Sequence, residues 1–287
     1  MSRTRISSLV AFSMLGTAAM VNHASGAAIA QWVFGTVTGA PDNSPAPSTG
    51  SGTASILGMT NNYTFTNAPI TVTGSGTFTY AATGNNTVVG STADADVLAT
   101  SGDPHGFANA WRVRGPSNTF PNTTGNGNGW ALQAPQYTQG VEFDGSAASY
   151  TNVLFSADWD TTAQGVADLQ MQYTVNGTTW NNIGGLDVAP SGGGFETVSQ
   201  DFSGVAGVSG DPSFGVRLVS AYDPTEPIPN YSGASGGYYN DNSGNWRFAD
   251  VTISGTAVTT AAPVPAALPA GMALIGLLWL ARRKVTA

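Results

Sequence analysis

The sequence predicts an all-β protein: an antiparallel β-sandwich, jelly-roll-like, flanked by an N-terminal signal peptide and a C-terminal apolar helix. Three observations over its 287 residues carry this. Short stretches alternate apolar and polar residues with a period of two, glycine- and asparagine-rich turns separate them, and no stretch carries a comparable 3.6-residue stripe. Without crossover helices a parallel α/β sheet is disfavoured, and stacked antiparallel sheets remain.

Taken in order, Arg3 and Arg5 precede an apolar run from Leu9 to Val21, and Ala24, Ser25, Gly26, Ala27 and Ala28 follow. That is the layout of a secretory signal peptide over residues 1–27, with cleavage expected near Ala27. The strand-like AIAQWVFGTV comes next, opening an ectodomain over residues 28–260. Residues 40–52 and 115–129 read as long loops. Alternation marks strands at Val153–Trp159, Phe214–Val219 and Trp246–Ile253. In DLQMQYTV, Leu169, Met171, Tyr173 and Val175 share one face, while Asp168, Gln170, Gln172 and Thr174 share the other. Asn176-Gly177 then permits positive φ in a tight turn, with a return strand expected from Thr178-Thr179-Trp180.

Residues 261–287 close the chain with prolines, an uncharged run from Leu268 to Ala281, and Arg282-Arg283-Lys284. The run is shorter than the roughly 20 residues that span a bilayer comfortably, so it reads as a short membrane helix with its basic end in the cytoplasm. Val264-Pro265 and Leu268-Pro269-Ala270, followed by that helix and basic cluster, resemble the PEP-CTERM class of bacterial sorting signals in its Val-Pro-Leu-Pro-Ala variant. The Glu of the Pro-Glu-Pro form is absent. The resemblance implies handling by signal peptidase and the export machinery, then cleavage near the prolines by an exosortase-like membrane transpeptidase. It implies an inner-membrane-anchored precursor and delivery to the cell surface or extracellular matrix of a Gram-negative bacterium. From His105 to Gly255, HGFANAWRVRG, GWALQAPQYTQGVEFD, YTVNGTTW, FGVRLVSAYDP and NWRFADVTISG resemble the sandwich ectodomain of PEP-CTERM proteins. That resemblance transfers no catalytic residue.

Between the two terminal segments stand four arginines, no lysine and all 17 acids, a formal charge of −13. Such a chain repels nucleic acid and anionic polymers, leaving neutral glycans, cations or basic partners. With no cysteine there is no disulfide, thiolate metal site or Cys nucleophile, so core burial must hold the fold.

Candidate chemistry is sparse. His105, in Ser101-Gly-Asp-Pro-His-Gly106, is the only histidine left after export, and no Gly-x-Ser-x-Gly elbow accompanies it. A glycosidase pair could be drawn from Glu142, Glu196, Asp158 or Asp160, with nothing to select among them. The excess of Asp over Glu suits a structural calcium, with clusters at Asp94 and Asp96, at Asp158 and Asp160, and at Asn240 and Asp241 with Asp250. Each cluster also has an ordinary explanation in turn stabilisation. Tyr231, Tyr238 and Tyr239, in a glycine-rich stretch, offer flat faces for sugar stacking or cover for the core. The reading that follows is a noncatalytic exported surface or matrix protein that binds polysaccharide or neighbouring surface proteins. An exported glycan hydrolase is the alternative.

Overall fold

The computed structural model describes residues 26–34, 44–58, 101–114, 130, 136–225, 231–236 and 244–258, and the backbone of 70–72, 76–78 and 94–99. Residues 1–25 of the signal-peptide segment and the whole sorting segment lie outside the described residues, as do Tyr238, Tyr239, Asn240 and Asp241, whereas Ala27, the last residue assigned to the signal peptide, already pairs with Gly255 as the first residue of β1. In chain order the strands are β1 (Ala27–Trp32), β2 (Thr49–Gly50), β3 (Thr53–Leu57), β4 (Ile70–Val72), β5 (Gly76–Phe78), β6 (Asp94–Ala99), β7 (Asn109–Arg114) and β8 (Gly140–Asp144). They continue with β9 (Tyr150–Thr162), β10 (Asp168–Thr174), β11 (Asn181–Val188), β12 (Gly193–Asp201), β13 (Gly215–Ser220), β14 (Trp246–Phe248) and β15 (Val251–Ala257). Every pairing among them is antiparallel, and no helix occurs among the described residues.

The larger sheet is organised by β9, whose 13 residues carry β12 along one edge. On the other edge β14 and β15 follow end to end, opposite Trp159–Thr161 and Tyr150–Ser156 respectively. β15 then pairs with β1 and β14 with β7, so the sheet divides beyond this seam. Trp246–Ile253 is therefore two strands rather than the single one expected. The reason is phase: Trp246 and Phe248 are buried, and so are Val251 and Ile253. Inward positions shift from even to odd numbers, which a continuous pleat cannot do, because its side chains alternate strictly. The break at Ala249-Asp250 resets the phase, and the Ala249 amide bonds the Asp158 carbonyl at 2.8 Å.

The smaller sheet runs β11-β10-β13-β8-β3. Its β10–β11 hairpin forms as the alternation predicts, and Gly177 has φ +70°. The return strand begins at Asn181, three residues later than expected, because Asn176 Oδ1 accepts from the amides of Thr178 and Thr179 at 2.9 and 2.7 Å. This side-chain cap replaces the ladder bonds that a two-residue turn would have started.

Phe143 of β8 joins the two sheets. Its ring lies 5.1 Å from Trp32, 6.0 Å from Trp111, 6.2 Å from Phe155 and 6.1 Å from Phe248, all on the larger sheet. Trp32, Trp111, Trp130, Trp159 and Trp246 are essentially sealed from solvent, so aromatic burial holds the two faces together where no disulfide can.

Candidate functional site

Alternation along β9 sends Val153, Phe155, Ala157 and Trp159 into the core and leaves Asp158 and Asp160 on the outer face of the larger sheet. Even so, Asp158 is 0% and Asp160 5% exposed. Ionised carboxylates are seldom sealed without partners, so what surrounds these two matters.

Asp160 is accounted for by a cation: Arg247 Nη1 lies 3.3 Å from its Oδ2, and the Gly194 amide donates to its Oδ1 at 2.9 Å. Burial pushes its carboxyl above the usual range, while Arg247 and the amide pull it back. Asp158 has different company. Its Oδ1 accepts from Thr197 Oγ1 at 2.7 Å, and its Oδ2 lies 2.6 Å from His105 Nδ1. Burial pushes the Asp158 carboxyl up, against the lowering bonds from His105 and Thr197. His105 is also raised, chiefly by its bond to Asp158, with desolvation opposing and Asp250 and Asp103 adding attraction. The sealed carboxylate and the half-exposed imidazole therefore titrate as a pair.

The loop before β7 delivers His105. Asp103 folds it: Asp103 Oδ1 accepts the amides of His105 at 2.9 Å and Phe107 at 3.0 Å, and the Gly106 amide bonds the Asp103 carbonyl at 3.1 Å. Asp103 Oδ2 is buried with no hydrogen-bond partner. One ligand atom each from Asp103, His105 and Asp158 lie within 4.8 Å of one another. Asp250, in the break between β14 and β15, accepts from Gln31 Nε2 at 2.7 Å and Thr252 Oγ1 at 3.1 Å.

The sequence-predicted ligands thus separate. Asp158 joins a cluster with Asp103 and His105, and Asp160 an ion pair with Arg247. Asp94 and Asp96 stand opposite Arg114 and Arg112 in the register of β6 and β7. Asp103 and His105 were not expected as ligands. The spacing Asp-Pro-His was the available signal, but only the docking of this loop onto β9 supplies the third member. Tyr231 is fully buried, 4.8 Å from the Tyr222 ring, so it covers the core and offers no face to a ligand.

A second arrangement lies on the opposite side of the sandwich. Register aligns Ser55, Glu142, Arg217, Gln172 and Asn182 in one row across β3, β8, β13, β10 and β11. Val141, Phe143, Val216 and Leu218 point to the core, so this row faces outward. Arg217 Nε lies 2.6 Å from Glu142 Oε2, and its guanidinium sits 3.8 Å from the centre of the half-exposed Trp180 ring. Gln172 Nε2 donates to Asn182 Oδ1 at 2.8 Å. A side chain at Gly215 would collide with Asp144 Oδ1 and crowd the Trp180 ring, so glycine there lets the indole lie over the sheet. Glu142 is pushed up chiefly by burial, with Arg217 opposing.

Glu142 and the Asp158-Asp160 pair therefore occupy opposite outer faces, separated by a core about 10 Å thick. They cannot flank one glycosidic bond, since paired carboxyl groups stand no more than about 9.5 Å apart.

No family model and no curated protein matches the chain. Among solved structures, similar ones include the enzymatically active domain of tailspike protein 4 of bacteriophage CBA120, with 8% identity and a TM-score of 0.28 over 57% of this chain and 18% of that one. Another contains the CBM22-1 and GH10 modules of Clostridium thermocellum endo-1,4-beta-D-xylanase 10B complexed with xylohexaose, at 11% identity and TM-score 0.28, over 60% of this chain and 26% of that one. A third is a Bacteroides thetaiotaomicron protein named as sugar-binding, at 12% identity and TM-score 0.26, over 60% of this chain and 86% of that one. The chain spans less than a third of the first two. At such scores these likenesses bear on neither substrate nor chemistry.

Proposed function

We propose that the chain is a noncatalytic, exported surface or matrix protein, a jelly-roll-like sandwich that binds neutral polysaccharide on the outer face of its smaller sheet. One observation carries the reading: register places Ser55, Glu142, Arg217 and Asn182 in one outward row of donors and acceptors, with the buried Gln172 bracing Asn182 from within it, beside the half-buried Trp180. Sugar hydroxyls donate and accept at short intervals, and an indole face suits the apolar face of a pyranose ring. Mounting these groups on strands holds them rigid, which lowers the entropy lost on binding. The formal charge of −13 between the terminal segments favours neutral over anionic chains.

Titration of neutral polysaccharides, chosen from a glycan array, tests this. Wild-type protein binds one class without releasing reducing ends, and Trp180→Ala and Asn182→Ala each weaken binding by roughly tenfold or more at unchanged fold. Unchanged affinity in both variants removes the face from consideration, and release of reducing ends favours the hydrolase.

A further inference from the structure

The cluster on the other face calls for a different occupant. Asp158 is fully sealed and Asp103 is 9% exposed, and one ligand atom from each lies within 4.8 Å of the His105 imidazole. Arg247, the nearby arginine of β14, is engaged by Asp160. A half-exposed histidine is the basic group that touches Asp158, and one buried oxygen, Asp103 Oδ2, has no hydrogen-bond partner. A buried acceptor left alone costs about 1–3 kcal/mol, more when charged, so a native fold retains one where something else fills the place.

We propose that Asp103, His105 and Asp158 bind a divalent transition-metal ion of the zinc type, which pins the 101–107 loop to β9. The donor set decides the class of ion. One imidazole nitrogen with two carboxylates suits zinc and its neighbours, whereas calcium takes six to eight oxygens and has little use for nitrogen. Asp103 is suited to the role because its two oxygens divide the work: Oδ1 holds the loop amides and Oδ2 is left over for a ligand. Thr197, bonded to Asp158 Oδ1, stands behind that ligand as an orienting group. Donor atoms on a tetrahedral zinc stand about 3.3 Å apart for bonds of about 2.0 Å. Seating the ion therefore exchanges the 2.6 Å contact of His105 Nδ1 with Asp158 Oδ2 for two metal bonds. The imidazole, on a loop and half-exposed, is the group free to shift. Three protein ligands leave a fourth position for water, on the solvent side of His105.

The test uses the full chain, treated with chelator and titrated with zinc chloride by calorimetry, followed by melting. One equivalent binds and raises the melting temperature. His105→Ala and Asp103→Asn each weaken zinc binding by more than the roughly 10- to 100-fold typical of outer-shell changes and abolish the melting shift. Asn at position 103 keeps the acceptor for the loop amides, so the loop survives. Asp160→Asn leaves zinc binding unchanged. The proposal is overturned if no equivalent binds, if binding persists in both ligand variants, or if calcium chloride alone raises the melting temperature and does so equally in His105→Ala.

Discussion

Asp168 illustrates what a single sealed carboxylate does to this protein. It is 2% exposed, its Oδ2 accepts from Ser232 Oγ at 2.6 Å, and burial pushes its carboxyl above the ordinary value of 3.8, with Asp223 adding repulsion. A group whose pKa is higher folded than unfolded favours folding most at low pH, and that contribution is lost as pH rises from about 3.8 through the folded value. Ionised Asp168 thus opposes folding at neutral pH. Asp168→Asn, which keeps an acceptor for Ser232, is expected to melt above wild type at pH 7, and the gap closes below about pH 4. Melting curves across that range check it. The polar side of β10 was legible in the alternation of Asp168, Gln170 and Gln172, but their burial was not, because neighbouring segments do the covering. Ser232, which reaches Asp168 from 64 positions away, leaves no trace in the local pattern.

Elements of the fold respond to local chemistry that the sequence displays more openly. Gly177 has φ +70° with nothing near the place a side chain would occupy, so its requirement is one of backbone conformation alone. Gly177→Val is expected to destabilise by about 1 kcal/mol or more, a fall of roughly 2–4 °C in a domain this size. Thr178→Ser, which keeps the hydroxyl that bonds Asn176 Oδ1, is expected to melt with wild type. Equal melting of both variants would remove the turn assignment. The same hairpin marks where local reading stops. Asn-Gly named the turn, but Asn176 capping two amides lengthened the connection and displaced Trp180 from the return strand. That displacement lets the indole fold back over Gly215 and meet Arg217. The binding face proposed above thus owes its aromatic member to a turn one register longer than the simplest.

For the whole molecule, the terminal segments and the sandwich pose separate questions. Export and exosortase-type sorting are part of the proposed function and rest on the residues of the two ends. Protein recovered from the native surface is expected to lack the chain beyond about Pro269, and deletion of residues 264–287 to release or misroute the ectodomain. Mass spectrometry of the C-terminal peptide decides, since a terminus at Ala287 in the surface fraction would remove processing. Among the described residues the sandwich is held by Phe143, which meets four aromatic rings of the opposite sheet, and by β1, which closes against β15.

Periodicity alone determined that this is an all-β antiparallel protein, because alternation is a property of neighbouring residues and survives any arrangement of strands. Composition determined that core burial must replace disulfides, since the chain has no cysteine. Tertiary structure decided which polar residues meet. Asp103, His105 and Asp158 span 55 positions and come together because a loop docks on β9, and the row from Ser55 to Asn182 exists through register across five strands. The split of β14 from β15 was written in the shift from Trp246 and Phe248 to Val251 and Ile253. Its consequence, the bond from Gln31 of β1 to Asp250 in the break, followed only from the pairing of both strands with their neighbours, since long-range contacts are set by packing and not by local preference.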